Sequence, residues 1–185
     1  MTRLLLSLPI ALIAASTVPA ADPLTSGTPV GKRPGPYSFL VATGPQRGQQ
    51  TCYICEQHEG NKPAAAVFAR TTSDALGKLL VKLDAEALAH KDSGCKVWMT
   101  LLAEKADLDA LAKWAQKQGI KAAPVGAFED ADGPPSYKLH KDADVTVILF
   151  TKQKVVANFA FRAGELDDKT IESVLKAVPQ LFEGK

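Results

Sequence analysis

The chain has 185 residues, 46% of them hydrophobic and 23% charged, with a formal net charge of +2 at pH 7. That length suits one domain with a real core, and lysines interspersed with acids give no electrostatic footprint for nucleic acid. The 3 cysteines are an odd count, so one thiol is left over if two of them pair.

Residues 1–20 read as a signal peptide. Arg3 supplies a positive n-region, residues 4–15 an apolar h-region, and Val18-Pro19-Ala20 the small residues that place cleavage after Ala20. The apolar run is shorter than the ~20 residues of a membrane span, and Pro9 interrupts it. The expectation is therefore a chain exported to the periplasm or the extracellular space, with no membrane span once mature. Disulfides persist in such a compartment. Loss of Arg3 with the signal lowers the charge to about +1.

Residues 21–36 (ADPLTSGTPVGKRPGP) are rich in proline, glycine and small polar residues without apolar periodicity, and read as a flexible arm ahead of a domain over 37–185. Residues 37–43 (YSFLVAT) suit a short strand. Gly44-Pro45 and Gly48 break it, and the polar stretch 56–62 (EQHEGNK) reads as a loop. Residues 64–70 (AAAVFAR) form an apolar run suited to a buried strand. Thr72 or Ser73 caps a helix with Leu76, Leu79, Leu80 and Leu83 on one face, running to about Ala89 with a break expected near Asp84.

Residues 96–103 (KVWMTLLA) read as the next strand. Asp107 caps a helix with the stripe Leu108, Leu111, Ala112 and Ala115, and Gly119 stands at its end. A short strand is expected around Val125, then a turn-rich loop over 129–135 (EDADGPP). Residues 145–150 (VTVILF) and 155–161 (VVANFAF) read as a hairpin turning at Lys152-Gln153. Asp167 or Asp168 caps a last helix bearing Ile171, Val174, Leu175 and Val178.

Chemistry concentrates at Cys52-Tyr53-Ile54-Cys55. Two thiols at this spacing close a small disulfide or grip a soft metal. Three roles stay open: a structural staple of the N-terminal segment, a redox pair in which one cysteine attacks and the other resolves, and a zinc or copper site with His58. A zinc site needs a fourth ligand, for which Cys95, His90 and Glu56 are candidates. A c-type haem is excluded in its usual form because Glu56 follows Cys55. No motif calls for another cofactor. Cys95 reads as a buried thiol, His90 and His140 as solvated surface residues, and Trp98 and Trp114 as core or rim aromatics.

The element order, with AAAVFAR opening, VTVILF and KVVANFAF as a hairpin and IESVLKAV as the last helix, resembles the thioredoxin-like superfamily. The peroxiredoxin and thiol-reductase branch is the nearest match, over residues 37–182. The resemblance implies an α/β fold, a three-layer α/β/α arrangement around a mixed sheet of four to five strands. It also implies thiol–disulfide exchange at Cys52 and Cys55, with Cys52 attacking thiols or disulfides of exported proteins. The alternatives are a non-catalytic binding module with a structural disulfide and a metal-binding protein using Cys52, Cys55 and His58.

Three departures from that pattern matter. The redox cysteines of the superfamily follow the first core strand, where this chain has Arg70-Thr71-Thr72-Ser73-Asp74, so no peroxidatic cysteine is present there. Backbone donors at this helix start, with Arg70, suit either an anion or ordinary capping. The position of the family's cis-proline falls at Asp144-Val145, with Pro124 the nearest substitute. Finally, Cys52 and Cys55 come before the strand, whose seven residues at ~3.3 Å each span about 23 Å. The two positions are thus expected at opposite poles of the sheet unless the 56–62 loop doubles back.

Overall fold

The structure, a computed structural model, describes residues 24–183. Seven strands form one mixed sheet: β1 Phe39–Val41, β2 Gln50–Thr51, β3 Ala64–Ala69, β4 Lys96–Leu102, β5 Val125–Phe128, β6 Val145–Thr151 and β7 Lys154–Phe161. Their order across the sheet is β2-β1-β5-β4-β3-β6-β7. β4 lies parallel to β3 and β5, and β6 and β7 add an antiparallel hairpin on the other side of β3. Sequence predicts a sheet of four to five strands; β3 to β7 supply five, and the short strand expected over 37–43 is β1. β1 and β2 extend its edge, and strands of three and two residues exist only because pairing holds them.

Alternate residues of the central strands feed two cores, as the two-residue strand period dictates. One face, with Ala65, Val67, Ala69, Val97, Met99, Val147 and Leu149, is covered by α2 Asp74–Ala89, α3 Leu108–Gln118 and α4 Asp168–Ala177. Ser73, Asp107 and Asp167 cap these three helices through side-chain acceptors. α2 does not break at Asp84. That carboxylate is buried and accepts the backbone N–H groups of Lys121, Ala122 and Ala123, closing the loop that leads into β5.

The other face, with Ala64, Ala66, Phe68, Trp98, Ile148 and Phe150, is aromatic and covered by α1 Tyr53–Glu59, Tyr37 and Tyr137. α1 corrects the loop expected over 56–62. It buries Tyr53, Ile54, Gln57 and His58, so its inner face is half polar and carries no leucine stripe. Seven residues are too few for an independent helix in water, so packing on the sheet holds it.

The arm also differs from expectation. Residues 24–36 have irregular backbone, but they lie along the aromatic face rather than hanging free. Gly31 N–H donates to Val155 C=O and Val155 N–H to Lys32 C=O. Asn158 donates to Thr28 C=O, and the Ser26 and Thr146 hydroxyls bond at 2.7 Å. Gly27 has φ +86, and a Cβ there would press on Ile148 and Thr146, so glycine permits this close approach. The signal expected over residues 1–20, and residues 21–23 of the arm, lie outside the described residues.

Candidate functional site

Cys52 and Cys55 form a disulfide with Cα atoms 5.3 Å apart. β2 delivers Cys52 to the N-cap of α1, where its carbonyl accepts Cys55 N–H at 3.1 Å. Both cysteines are half-buried against the aromatic core. Tyr53 between them lies under the turn, its ring 5.6 Å from Phe39 and 5.9 Å from Trp98. Lys96 Nζ stands 4.6 Å from the Tyr53 ring centroid and 2.7 Å from Glu56 Oε2. Burial, helped by the Glu56 charge, pushes the Tyr53 phenol up to about 12.

Cys55 opens onto a surface cavity of ≈ 690 Å³, shared with His58, Glu59, Gln153 and the arm residues Arg33 to Pro36. His58 is only 7% exposed, and its ring meets Phe150 edge-on at 5.7 Å. Its Nδ1 lies 3.5 Å from Arg33 Nη2. A guanidinium only donates, so Nδ1 is the acceptor and the proton sits on Nε2. Burial first, and the Arg33 charge second, hold the His58 pKa below its ordinary value. Nε2 is buried and has no hydrogen-bond partner, an arrangement that costs about 1–3 kcal/mol for a polar group.

His58 therefore gathers next to Cys55, as its spacing suggested, but the described residues hold no cluster of three or more His, Cys, Asp or Glu suited to a metal. Cys95 stands apart as a free, half-buried thiol against the opposite core, lining a second cavity of ≈ 680 Å³ with Tyr53, Asp84 and Lys96. Burial, with the Glu86 charge, pushes that thiol up to about 11. His90 and His140 are exposed: His90 faces Glu86 at 4.0 Å, and His140 Nδ1 accepts Asp142 N–H. Trp98 is fully buried and donates its indole N–H to the Tyr37 hydroxyl at 2.7 Å, while Trp114 is a partly buried residue of α3.

At the end of β3, the Arg70 guanidinium donates to the carbonyls of Ala143, Ala131 and His140. Thr71 donates its hydroxyl to the Asp144 carboxylate, and Ser73 Oγ accepts Leu76 N–H at the head of α2. Arg70 holds a loop clamp through Nε, Nη1 and Nη2, and Ser73 is used in capping.

No family model matches the sequence, and no curated protein matches it. Solved structures do. A proposed protein disulfide isomerase from Bacteroides thetaiotaomicron superposes with TM-score 0.64 at 15% identity, over 87% of this chain and 96% of that one. A proposed thiol:disulfide interchange protein DsbE from Chlorobium tepidum gives 0.62 at 14%, over 83% and 97%. The thioredoxin domain of a thiol-disulfide oxidoreductase from Bacteroides vulgatus gives 0.58 at 16%, over 82% and 99%. The fold is thioredoxin-like.

Within this thioredoxin-like fold, the cysteine pair and the α2 start lie on opposite faces of the sheet, but not at the opposite poles expected from sequence. The register Gln50↔Leu40, Leu40↔Ala127, Ala127↔Leu101, Leu101↔Ala69 makes β2 leave the sheet at the end where β3 runs into α2. Cys52 and Cys55 pack with Ala64, Ala66 and Phe68, whereas α2 packs with Ala65, Val67 and Ala69, on the other face. β2, which delivers Cys52, lies four strands from β3, about 19 Å at the usual strand spacing. α1 then crosses the aromatic face and ends at the start of β3, where Gln57 donates to Pro63 C=O. The stretch 56–62 does not fold back toward Ser73. Pro124 does not take the cis-proline place either. It precedes β5, which pairs with β4 and β1 and lies three strands across the sheet from β6, the strand whose start holds that place.

Proposed function

We propose that this thioredoxin-fold chain exchanges disulfides with exported proteins through Cys52 and Cys55. The observation that carries the reading is the Cys52–Cys55 disulfide itself, half-exposed at the head of α1 and bordering a surface cavity. A partner thiolate attacks Cys52 Sγ, the Cys52–Cys55 bond breaks, and Cys55 leaves as a thiolate. The partner's second thiol, after losing its proton, attacks the partner sulfur of the mixed disulfide and expels the Cys52 thiolate. The partner dithiol is oxidised by two electrons, the pair is reduced, and two protons pass to solvent or the new thiolates. Run backwards, Cys52 attacks and Cys55 resolves.

Export belongs to the same proposal. It draws on the signal-like residues 1–20, and among the described residues no helix is long and apolar enough to cross a membrane. Partners are accordingly thiols or disulfides of exported proteins.

The test is reduction of insulin disulfides by the full chain beside a Cys52→Ser control, with a glutathione redox titration. A rate above the control and a potential above ~−300 mV, the range of structural disulfides, are expected. Equal rates overturn the proposal.

One observation favours a second reading, a non-catalytic binding module with a structural disulfide: the position after β3 is filled by the Arg70 clamp and the Ser73 cap. That reading has Cys52→Ser and Cys55→Ser altering stability while leaving partner contacts intact.

A further inference from the structure

His58 is a polar side chain in an apolar place, and its two ring nitrogens are treated differently. Nδ1 meets the Arg33 guanidinium at 3.5 Å, which leaves the proton on Nε2. Nε2 is the buried donor with no acceptor, one of two such side-chain atoms among the described residues. Buried donors are rarely left unpaired without a reason.

Two placements bear on that reason. His58 follows Cys55 by three residues on α1, and side chains at this spacing are neighbours on a helix. Both border the same ≈ 690 Å³ cavity, whose charged lining is Arg33 and Glu59 and whose remaining lining is Pro34, Gly35, Pro36 and Gln153. Phe150, packed against the ring, carries no acceptor. In the disulfide form the Cys55 sulfur is tied to Cys52 and carries no charge. Breaking that bond frees χ1 of Cys55 and creates a thiolate, a strong acceptor, one helical turn from an idle N–H.

We propose that the Nε2–H of His58 is the hydrogen-bond donor that stabilises the Cys55 thiolate once the Cys52–Cys55 disulfide opens. The inference rests on the disulfide-exchange reading above and assigns His58 as the thiolate-stabilising donor of that site. No proton is transferred: the neutral imidazole keeps its Nε2 proton and lends the bond. A stabilised thiolate makes Cys55 a better leaving group and favours the reduced pair, which raises the reduction potential. Arg33 sets the form of the ring, because its donors hold Nδ1 as an acceptor.

The experiment is a glutathione equilibrium of the full chain, with residue-resolved alkylation to follow Cys55 apart from Cys52 and Cys95. His58→Phe removes the donor and is expected to favour the disulfide about tenfold, roughly 30 mV toward more negative potential, with a higher Cys55 thiol pKa. His58→Gln keeps an N–H donor and is expected within about threefold of the parent. Arg33→Gln, at an exposed side chain, keeps the test alive if His58→Phe does not fold. It frees Nδ1 to take a proton, so at pH 5.5 the equilibrium should move about threefold or more toward the reduced pair. A wild-type pair that does not exchange with glutathione sinks the exchange reading and this one together. Exchange that is insensitive to both His58→Phe and Arg33→Gln overturns the role of His58 alone.

Discussion

Thr71 donates its hydroxyl to the Asp144 carboxylate at 2.9 Å, joining the end of β3 to the residue before β6. By resemblance, a redox cysteine and its facing proline belong near these two positions. Here they are a polar clasp, reinforced by Arg70 N–H donating to Asp144 C=O and by the guanidinium of Arg70 on three loop carbonyls. Arg70→Ala should loosen residues 129–144 and cost about 1–3 kcal/mol, the scale of a charged hydrogen-bond donor. Urea unfolding and hydrogen exchange of that loop measure it. Glutathione exchange at Cys52–Cys55 should be unaffected, because the pair lies on the other face from α2. A matching loss of exchange would show that the two places are coupled after all.

Asp84 is 2% exposed and accepts three consecutive backbone N–H groups, from Lys121, Ala122 and Ala123. Asp84→Ala leaves all three donors without their partner. The expected loss is about 3 kcal/mol or more, read as a lower urea midpoint with an unchanged slope. A loss under about 1 kcal/mol would mean that water reaches the loop and replaces the carboxylate.

Alkaline pH should destabilise the protein through Cys95 before any tyrosine. Its thiol is pushed from 9.0 up to about 11 in the folded chain. Between those values the unfolded chain has released the proton and the folded chain has not, so stability falls as pH rises. Tyr53, pushed from 10.0 to about 12, extends the fall to higher pH with the same sign. The stability of Cys95→Ala should therefore vary less than wild type from pH 9 to 11. Identical slopes for the two proteins would refute the assignment.

The sheet and three of the four helices were readable because their signals are local. β3, β4, β6 and β7 are apolar runs, and α2, α3 and α4 carry leucine or isoleucine stripes behind Ser73, Asp107 and Asp167. α1 was not readable because half of its buried face is Gln57 and His58, which patterning assigns to solvent. Gln57 is inside because its amide satisfies Pro63 and Gly94 carbonyls, a tertiary fact. The docking of residues 24–36 was hidden for a related reason: it runs largely through backbone groups such as Gly31 and Val155, which leave no side-chain pattern. The cysteines were legible by spacing, but their order before β3 misled on the pole. β1 and β2 form an added hairpin that returns the chain parallel to β3 and releases Cys52 at the end of the sheet where β3 also ends. Their placement across the sheet face needed α1.

How α1 is held separates the staple from the exchange reading. A disulfide spanning three residues in sequence closes a very small loop, so its entropic worth is only about 2 kcal/mol. Gln57, 3% exposed, instead ties α1 to two other segments through Pro63 and Gly94 at 2.8 and 3.0 Å. Gln57→Ala removes the side-chain donor of the Gly94 carbonyl, leaves Pro63 C=O with the Lys96 N–H alone, and opens a cavity, and should cost about 2–4 kcal/mol. The double variant Cys52→Ser/Cys55→Ser should lose no more than Gln57→Ala in urea. That ranking follows if packing positions α1 and the sulfurs are free to open and close there without unfolding it. A double-serine variant far less stable than Gln57→Ala would place the fold's dependence on the disulfide, and the staple would then be its role.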